Sequence, residues 1–136
     1  MILHQVRNPL DAIASCQTIT DPSWEYISNF VPIYNDESLV YRCMQYWLHW
    51  NRLARESSTW TYKIEELPEQ YDNFCKKIKR EDLITQEKKD IIAVFNKNLN
   101  TRDTSYRKLK REDLFNCSEE LAEEIVKDGA YYGYSI

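Results

Sequence analysis

The sequence predicts an α/β fold with about two short parallel strands, near residues 1–6 and 60–64, and five or six helices. Three observations support this fold class. An apolar stretch at residues 1–6 leads directly into a helix-start signal, residues 59–64 alternate β-branched and aromatic side chains, and the segments between and after them repeat apolar residues at helical spacing. Because helices separate the two strands, we expect a parallel pair joined by a crossover connection.

Residues 1–16 predict a buried strand that leads through a polar turn into a helix. Asn8 is a favourable N-cap, and Pro9 suits the first helical position because its missing N–H would have no partner there. Asp11 carries a carboxylate near the positive end of the helix dipole. The residues that share the apolar face of this helix are Leu10, Ile13 and Ala14.

The same segment brings together groups that bind anions. Ser15 lies seven residues beyond Asn8, so nearly two helical turns return it to the Asn8 side of the helix. Arg7, at the end of the strand, projects toward the same region. A guanidinium, free helix N–H groups and a hydroxyl near one another suit a phosphate. The alternative is an ordinary strand–turn–helix unit with a solvated Arg7.

A short helix is expected over residues 21–29, and the longest helix over residues 37–56, with Asn35 or Asp36 as its cap. The apolar stripe of the longest helix consists of Val40, Cys43, Met44, Trp47, Trp50 and Ala54. Its two tryptophans are predicted to pack in the core, with ligand stacking as the alternative. His49 lies off this stripe and is expected at the surface or bonded to a partner.

Three further helices follow the second strand. Pro68 is expected to start one of them, with an apolar face of Leu67, Tyr71, Phe74, Cys75 and Ile78. Another is expected from about Thr85, burying Ile91, Ile92, Phe95 and Leu99. Ser118 is predicted to cap the last helix and Gly129 to end it. The aromatic tail after it, Tyr131, Tyr132 and Tyr134, is expected to fold back over apolar surface.

The composition predicts one globular domain over residues 1–136 and argues against several classes of function. A net charge of −4 disfavours nucleic-acid binding. No apolar run is long enough to span a membrane, and residues 1–16 lack the layout of a signal peptide. Residues 102–111 form a basic segment with five Arg or Lys and one Asp, a pattern that suits an anionic ligand or a solvated surface.

The four cysteines are separated by 27, 32 and 42 residues, with no CxxC pair and no histidine cluster, so no metal site is predicted. Each cysteine falls in or beside a helical apolar pattern. We therefore expect free, buried thiols and a cytoplasmic location, where thiols stay reduced.

Arg7-Asn8-Pro9, with Ser15 eight residues after Arg7, resembles the 3′-phosphate-binding segment of sulfotransferases that use 3′-phosphoadenosine 5′-phosphosulfate (PAPS). The resemblance implies a P-loop-like parallel-sheet fold in which Arg7 and Ser15 hold the 3′-phosphate, with Asn8 and Arg102 as further cofactor-binding residues. Weaker similarities follow in the family's order at Tyr46-Trp47 with Trp50-Asn51, Tyr62 to Leu67, Asn100-Thr101-Arg102, Leu109 to Leu114 and Tyr132-Gly133-Tyr134.

The sequence also departs from the family pattern. The Gly/Lys/Arg loop that cradles the 5′-phosphosulfate in this family has no counterpart, because both glycines, Gly129 and Gly133, lie near the C-terminus. No catalytic base can be assigned, and the C-terminal Arg-Lys-Gly motif of the cytosolic branch is absent. The resemblance thus implies a C-terminal sulfotransferase part, incomplete at its N-terminus and inactive on its own. Its first strand would leave an unpaired sheet edge through which chains could self-associate.

Three functional hypotheses result. The leading hypothesis is a sulfotransferase-like protein that binds PAPS, or its desulfated product PAP, for sulfuryl transfer to an acceptor hydroxyl or amine of unassigned class. The second is a non-catalytic helical interaction or remnant protein that binds no nucleotide. The third is another phosphate- or nucleotide-binding enzyme with the same strand–helix unit, against which the missing Gly-rich loop argues.

Overall fold

A computed structural model describes residues 1–34, 37–98 and 106–136, without the side chains of residues 95–98. Its fold is α/β, as the sequence predicts. The strands are β1 (Leu3–Val6) and β2 (Trp60–Lys63). The α-helices in the described residues are α1 (Pro9–Cys16), α2 (Asp21–Ile27), α3 (Leu39–Ser57), α4 (Tyr71–Lys77), α5 (Gln86–Asn98), α6 (Arg111–Cys117) and α7 (Glu119–Tyr131).

The chain divides into two compact units. The first unit comprises Met1–Val6 and Ser58–Thr104, and therefore holds both strands with α4 and α5. The second comprises Arg7–Ser57 and Ser105–Ile136, and holds the other five helices of the described residues. That residues 1–136 form a single domain stays a prediction.

In the first unit, β1 and β2 form the parallel pair that the sequence predicts, with Leu3 opposite Trp60 and Val6 opposite Lys63. The backbone N–H of Thr59 extends the pairing by donating to the Ile2 carbonyl at 2.9 Å. The side chain of Trp60 stacks on Tyr62, with ring centroids 5.3 Å apart. Aromatic packing on one face is typical of strands with this alternating pattern.

Helix α4 begins later than predicted. Pro68 lies in the turn at residues 67–70, and the helix starts only at Tyr71, because Gln70 has φ −99° and ψ 10°, away from helical values. The predicted apolar face is buried at Tyr71 and Cys75. In α5, the prediction that Ile91 is buried is wrong, since 48% of its surface is exposed. The predictions for the Phe95 and Leu99 side chains lie outside what the structure describes.

The core of the second unit forms where α3 packs against α1, α6 and α7. Its fully buried side chains include Ile13, Cys43, Met44, Leu48, Leu114, Ala122 and Ile125. The predicted stripe of α3 is confirmed at Cys43, Met44 and Trp47, but Trp50 is 39% exposed. Trp50 lies at the margin of the buried side, where its ring contacts Tyr46 and Phe30 at centroid distances of 5.6 and 6.5 Å.

Helix α3 begins at Leu39, two residues later than predicted. The hydroxyl of Ser38 accepts a hydrogen bond from the Tyr41 N–H at 3.3 Å. Ser38, rather than Asn35 or Asp36, therefore takes the capping position beside the first helical residue. Asn35 and Asp36 themselves lie outside the described residues.

Helix α7 has the predicted cap and a different end. The Ser118 hydroxyl accepts a hydrogen bond from the Leu121 N–H at 3.3 Å. Gly129 does not end the helix, which continues to Tyr131, and Gly133, with φ 81°, takes the left-handed conformation beyond it. A Cβ at Gly129 would lie 3.2 Å from Pro9 Cγ, so the glycine allows α7 to approach the first residue of α1 closely.

Candidate phosphate-binding site at helix α1

Asn8 caps α1 as predicted, and its side chain occupies helix N–H groups that could otherwise bind an anion. Asn8 Oδ1 accepts hydrogen bonds from the N–H groups of Leu10 at 3.0 Å and of Asp11 at 3.5 Å. Pro9 has no N–H, and the Ala12 N–H donates to the Asn8 carbonyl at 2.9 Å. The expectation of free N–H groups at this helix end is therefore wrong, because the cap uses them. Any anion here must be bound mainly by side chains.

Arg7 is the cation of the site. Its side chain is half-buried, and it makes no hydrogen bond or ion pair within residues 1–34, 37–98 and 106–136. Burial raises the pKa of the Cys16 thiol to about 12, while the positive charge of Arg7 acts in the opposite direction. The guanidinium thus lies close enough to Cys16, the last residue of α1, to interact with it electrostatically.

Ser15 lies in that same last turn of α1 and is half-buried. Its hydroxyl donates to the Ala12 carbonyl at 3.1 Å, an i−3 bond common for serine in helices. The hydroxyl must exchange this bond to donate to a ligand. That the Arg7 guanidinium lies beside the Ser15 hydroxyl stays a prediction.

Gln17 connects α1 to the end of the basic segment, a contact that the sequence analysis did not predict. The Gln17 side chain donates to the Arg107 carbonyl at 2.8 Å and to the Ala14 carbonyl at 3.0 Å. A glutamine just after a helix is too common to have indicated a contact 90 residues away. The described end of the basic segment therefore lies beside the last turn of α1.

Two cations of this segment have structural partners. The Arg107 guanidinium pairs with Asp113. Arg111 donates to the Ile136 carbonyl at 2.7 Å and lies 5.1 Å from the Phe115 ring centroid. Lys108 is exposed. The remaining predicted cofactor-binding residue, Arg102, lies outside the described residues.

The tryptophans of α3 differ in what they can contact. Trp47 is 4% exposed and meets Tyr132 edge to face at 6.3 Å, so it belongs to the core. Trp50 has exposed ring surface that can stack on a planar group. His49 is half-buried, and burial lowers its pKa, with the charge of Arg52 acting in the same direction.

Metal-binding groups, reactive cysteines and membrane-spanning helices are the other functional features that the described residues could contain. No group of three or more His, Cys, Asp or Glu side chains there could hold a metal ion. All four cysteines are free; Cys43 and Cys75 are buried, whereas Cys16 and Cys117 are only half-buried. None of the described helices is long and apolar enough to cross a membrane.

Comparisons with known proteins found no similarity: no protein-family model matches the chain, and neither a curated protein nor a solved structure resembles it significantly.

Proposed function

We propose that this chain is a sulfotransferase-like protein that binds the 3′-phosphate of PAPS, or of its product PAP, through Arg7 and Ser15. The observation that carries the proposal is the half-buried Arg7 guanidinium, which has no acceptor among the described residues and whose charge partly offsets the burial-raised pKa of Cys16, the residue after Ser15. A half-buried guanidinium has lost part of its hydration shell. A bound phosphate would replace the lost water contacts with charge-assisted hydrogen bonds.

The roles that we propose for these residues combine the resemblance with the hydrogen bonds that each side chain makes. Arg7 presents a planar fork of N–H donors that matches two phosphate oxygens. Ser15 adds one donor when its hydroxyl turns from the Ala12 carbonyl. Asn8 positions these groups by fixing the start of α1 rather than by touching the phosphate, because its Oδ1 is committed to the Leu10 and Asp11 N–H groups. Arg102 remains a proposed cofactor contact on the strength of the resemblance alone.

Bound PAPS would supply the sulfuryl group for an acceptor hydroxyl or amine. Transfer also needs donors around the leaving oxygens and a base near the acceptor. A contact with the 3′-phosphate positions the donor without lowering the barrier directly. Since no residue of this sequence is assigned to the reacting end, we expect the isolated chain to bind nucleotide without transferring sulfate. A cytoplasmic location is part of the same proposal, supported by the four free thiols.

The proposal is tested by thermal unfolding with and without PAP. PAP should raise the melting temperature of the wild-type chain in a concentration-dependent manner, since it binds only the folded state. Arg7→Ala should abolish the shift, and Ser15→Ala should reduce it. Arg80→Ala is the matched arginine control, because Arg80 is exposed and pairs with Asp82 at 2.7 Å.

Ser28→Ala is the matched serine control, because Ser28 makes the same i−3 hydroxyl bond, to Glu25 at 2.8 Å. Both control variants should keep the wild-type shift. A folded wild-type chain that PAP does not stabilise at millimolar concentration would contradict the proposal.

A second candidate function, self-association without nucleotide binding, is favoured by the sheet. Within the described residues, β1 and β2 pair only with each other. A two-stranded sheet is marginal alone, and open strand edges pair readily with another chain. Light scattering distinguishes this function: oligomers that persist on dilution and ignore PAP support it, whereas a monomer excludes it.

A further inference from the structure

Four large apolar side chains of the second unit lie exposed beside one another, on α2, the turn after it and α3. Tyr26 is 65% exposed, Phe30 53%, Leu53 42% and Trp50 39%. The ring centroids of Tyr26 and Phe30 are 5.1 Å apart, and those of Phe30 and Trp50 are 6.5 Å apart. Leu53 follows Trp50 by three residues, so the two are neighbours on the surface of α3. These four side chains form the aromatic surface.

The aromatic surface has the area and the composition of an interface core. An aromatic side chain can bury about 150–250 Å², so the three exposed rings together present roughly 300 Å² before Leu53 is counted. The largest apolar patch on a typical monomer measures about 300–600 Å² and is often functional. Uncharged aromatic side chains are also what the buried centre of a protein–protein interface is enriched in.

That area suits a second copy of the same chain. Two aromatic surfaces in contact would remove roughly 600 Å² or more from water, about half of the 1,200 Å² at the lower end of stable interfaces. The polar residues around each surface would supply the rest as the rim of the interface. The aromatic surface can therefore form the core of a small dimer interface.

The charges at the two ends of this face of α3 complement each other. Arg42 lies near the start of the helix and Glu56 near its end, fourteen residues apart. On an ideal helix, this spacing points them within about 40° of the same direction, on the side of Leu53. Glu56 is exposed, and the Asp21 carboxylate is 3.9 Å from Arg42 Nη1, beyond hydrogen-bond distance. An identical helix packed antiparallel would bring a cation to an acid at each end.

A lipid surface fits the same side chains less well. The aromatic surface has exposed acids at its margin, because Glu25 precedes Tyr26 and Glu56 follows Leu53 by three residues. Anionic lipids would repel these carboxylates. Another copy of the chain instead provides an arginine for Glu56.

We propose that the aromatic surface is the core of a symmetric dimer of this chain, in which the two α3 helices are antiparallel and Arg42 of each copy faces Glu56 of the other. Every contact of such an interface occurs twice, so one self-complementary face is sufficient. The dimer uses neither the phosphate site nor the open edges of the sheet. Its presence or absence is therefore independent of nucleotide binding.

Sedimentation equilibrium of the full chain between about 5 and 500 µM measures the dimer directly. Phe30→Lys and Leu53→Lys should each raise the dissociation constant at least tenfold, because both place a charge in the apolar core of the interface. Ile91→Lys is the matched control, since Ile91 is 48% exposed on α5. Ile2→Lys, at a 57% exposed residue beside β1, is the control for association through the sheet. Both controls should dimerise like the wild type.

Charge reversal tests the antiparallel arrangement. Arg42→Glu and Glu56→Arg should each dimerise at least tenfold more weakly, because like charges then face each other at both ends of the interface. An equimolar mixture of the two variants should form a heterodimer of near wild-type affinity, since every end again pairs a cation with an acid. Circular dichroism verifies that each variant is folded.

The proposal is overturned if the wild-type chain is a monomer at 500 µM, whether or not it floats with phosphatidylcholine vesicles. It is also overturned if folded Phe30→Lys and Leu53→Lys dimerise like the wild type, or if Ile2→Lys abolishes the dimer, which would place association at the sheet. Failure of the mixed, folded charge variants to form a heterodimer overturns the antiparallel pairing.

Discussion

Arg52 of α3 binds Asp128 of α7 through two hydrogen bonds, from Nε to Oδ2 at 2.7 Å and from Nη2 to Oδ1 at 3.3 Å. The same guanidinium donates through Nη1 to Glu124 at 2.6 Å. The hydrogen bond to Asp128 is the largest cause of the raised pKa of Arg52. Asp128 is buried, whereas the Arg52 side chain is 31% exposed. This pair fixes α7 against the helix at the centre of the second unit.

Asp128→Ala should lower the free energy of unfolding by about 2–4 kcal/mol, because it leaves a partly buried guanidinium short of its best partner. Glu124→Ala should cost less than about 1 kcal/mol, since that carboxylate is 41% exposed. Urea unfolding of both variants, with the exposed Glu123→Ala as control, provides the measurement. Equal losses for Asp128→Ala and Glu124→Ala would show that burial does not set the strength of this network.

Gly129→Ala should destabilise the chain although alanine is the better helix former. The gain in helix propensity is about 1 kcal/mol, but the new methyl group would lie 3.2 Å from Pro9 Cγ, and overpacking costs about 1–3 kcal/mol. Thermal unfolding should place Gly129→Ala at or below wild type and Gly129→Val lower still. Ala130→Gly, at the exposed neighbouring position, calibrates helix propensity alone. A Gly129→Ala variant that is clearly more stable than wild type would contradict the close packing of α7 on Pro9.

Tyr132→Phe should lower the free energy of unfolding by about 0.5–1.5 kcal/mol, because the buried Tyr132 hydroxyl donates to the Asn51 carbonyl at 3.2 Å. Tyr131→Phe is the matched control, since Tyr131 is 68% exposed. Chemical denaturation should distinguish the two variants. If both behave like wild type, the hydroxyl of Tyr132 does not anchor the end of α7.

Cys16 should make stability depend on pH in the alkaline range. Below pH 9, the ordinary pKa of the thiol, Cys16 is neutral in both the folded and the unfolded chain. Above pH 9 the unfolded chain releases the proton, whereas the folded chain keeps it up to its pKa of about 12. The contribution of this thiol to stability is therefore complete below pH 9 and is lost as the pH rises toward 12.

Urea unfolding at pH 8 and pH 10 measures this effect. The wild-type chain should lose about 1 kcal/mol more than Cys16→Ala between the two values. Ser15→Ala, which changes the neighbouring residue of α1 and removes no thiol, is the control and should show the same loss as the wild type. If Cys16→Ala lost as much unfolding free energy as the wild type between pH 8 and pH 10, burial would not raise the pKa of the Cys16 thiol.

The sequence predicted those parts of the fold that local chemistry determines. The caps at Asn8 and Ser118 were predicted because a short polar side chain before a helix bonds the first N–H groups, whatever the rest of the chain does. The parallel pairing of β1 with β2 was predicted from the helices between the strands.

The predictions failed at positions whose structure depends on tertiary contacts rather than on the local sequence. Gly129 looked like a helix end, but it lies inside α7, where the missing side chain leaves room for the close approach of Pro9, which no local pattern indicates. Trp50 matched the apolar spacing of α3, yet the buried side ends just short of it. At the candidate site, the sequence predicted that Arg7 and Ser15 bind a phosphate, which stays a prediction. It did not predict that the Asn8 side chain would accept hydrogen bonds from the helix N–H groups, or that Gln17 would donate to the Arg107 carbonyl.

The central claim is that Arg7 recognises a 3′-phosphate, and calorimetric titration of PAP and 5′-AMP into wild type and Arg7→Ala tests it most directly. The two nucleotides differ only in that phosphate. Wild type should bind PAP at least tenfold more tightly than 5′-AMP, and Arg7→Ala should remove that advantage, because a charge-assisted contact contributes about 1.5–3 kcal/mol. Equal affinity of wild type for both nucleotides, or a preference for PAP that survives in Arg7→Ala, would contradict the account.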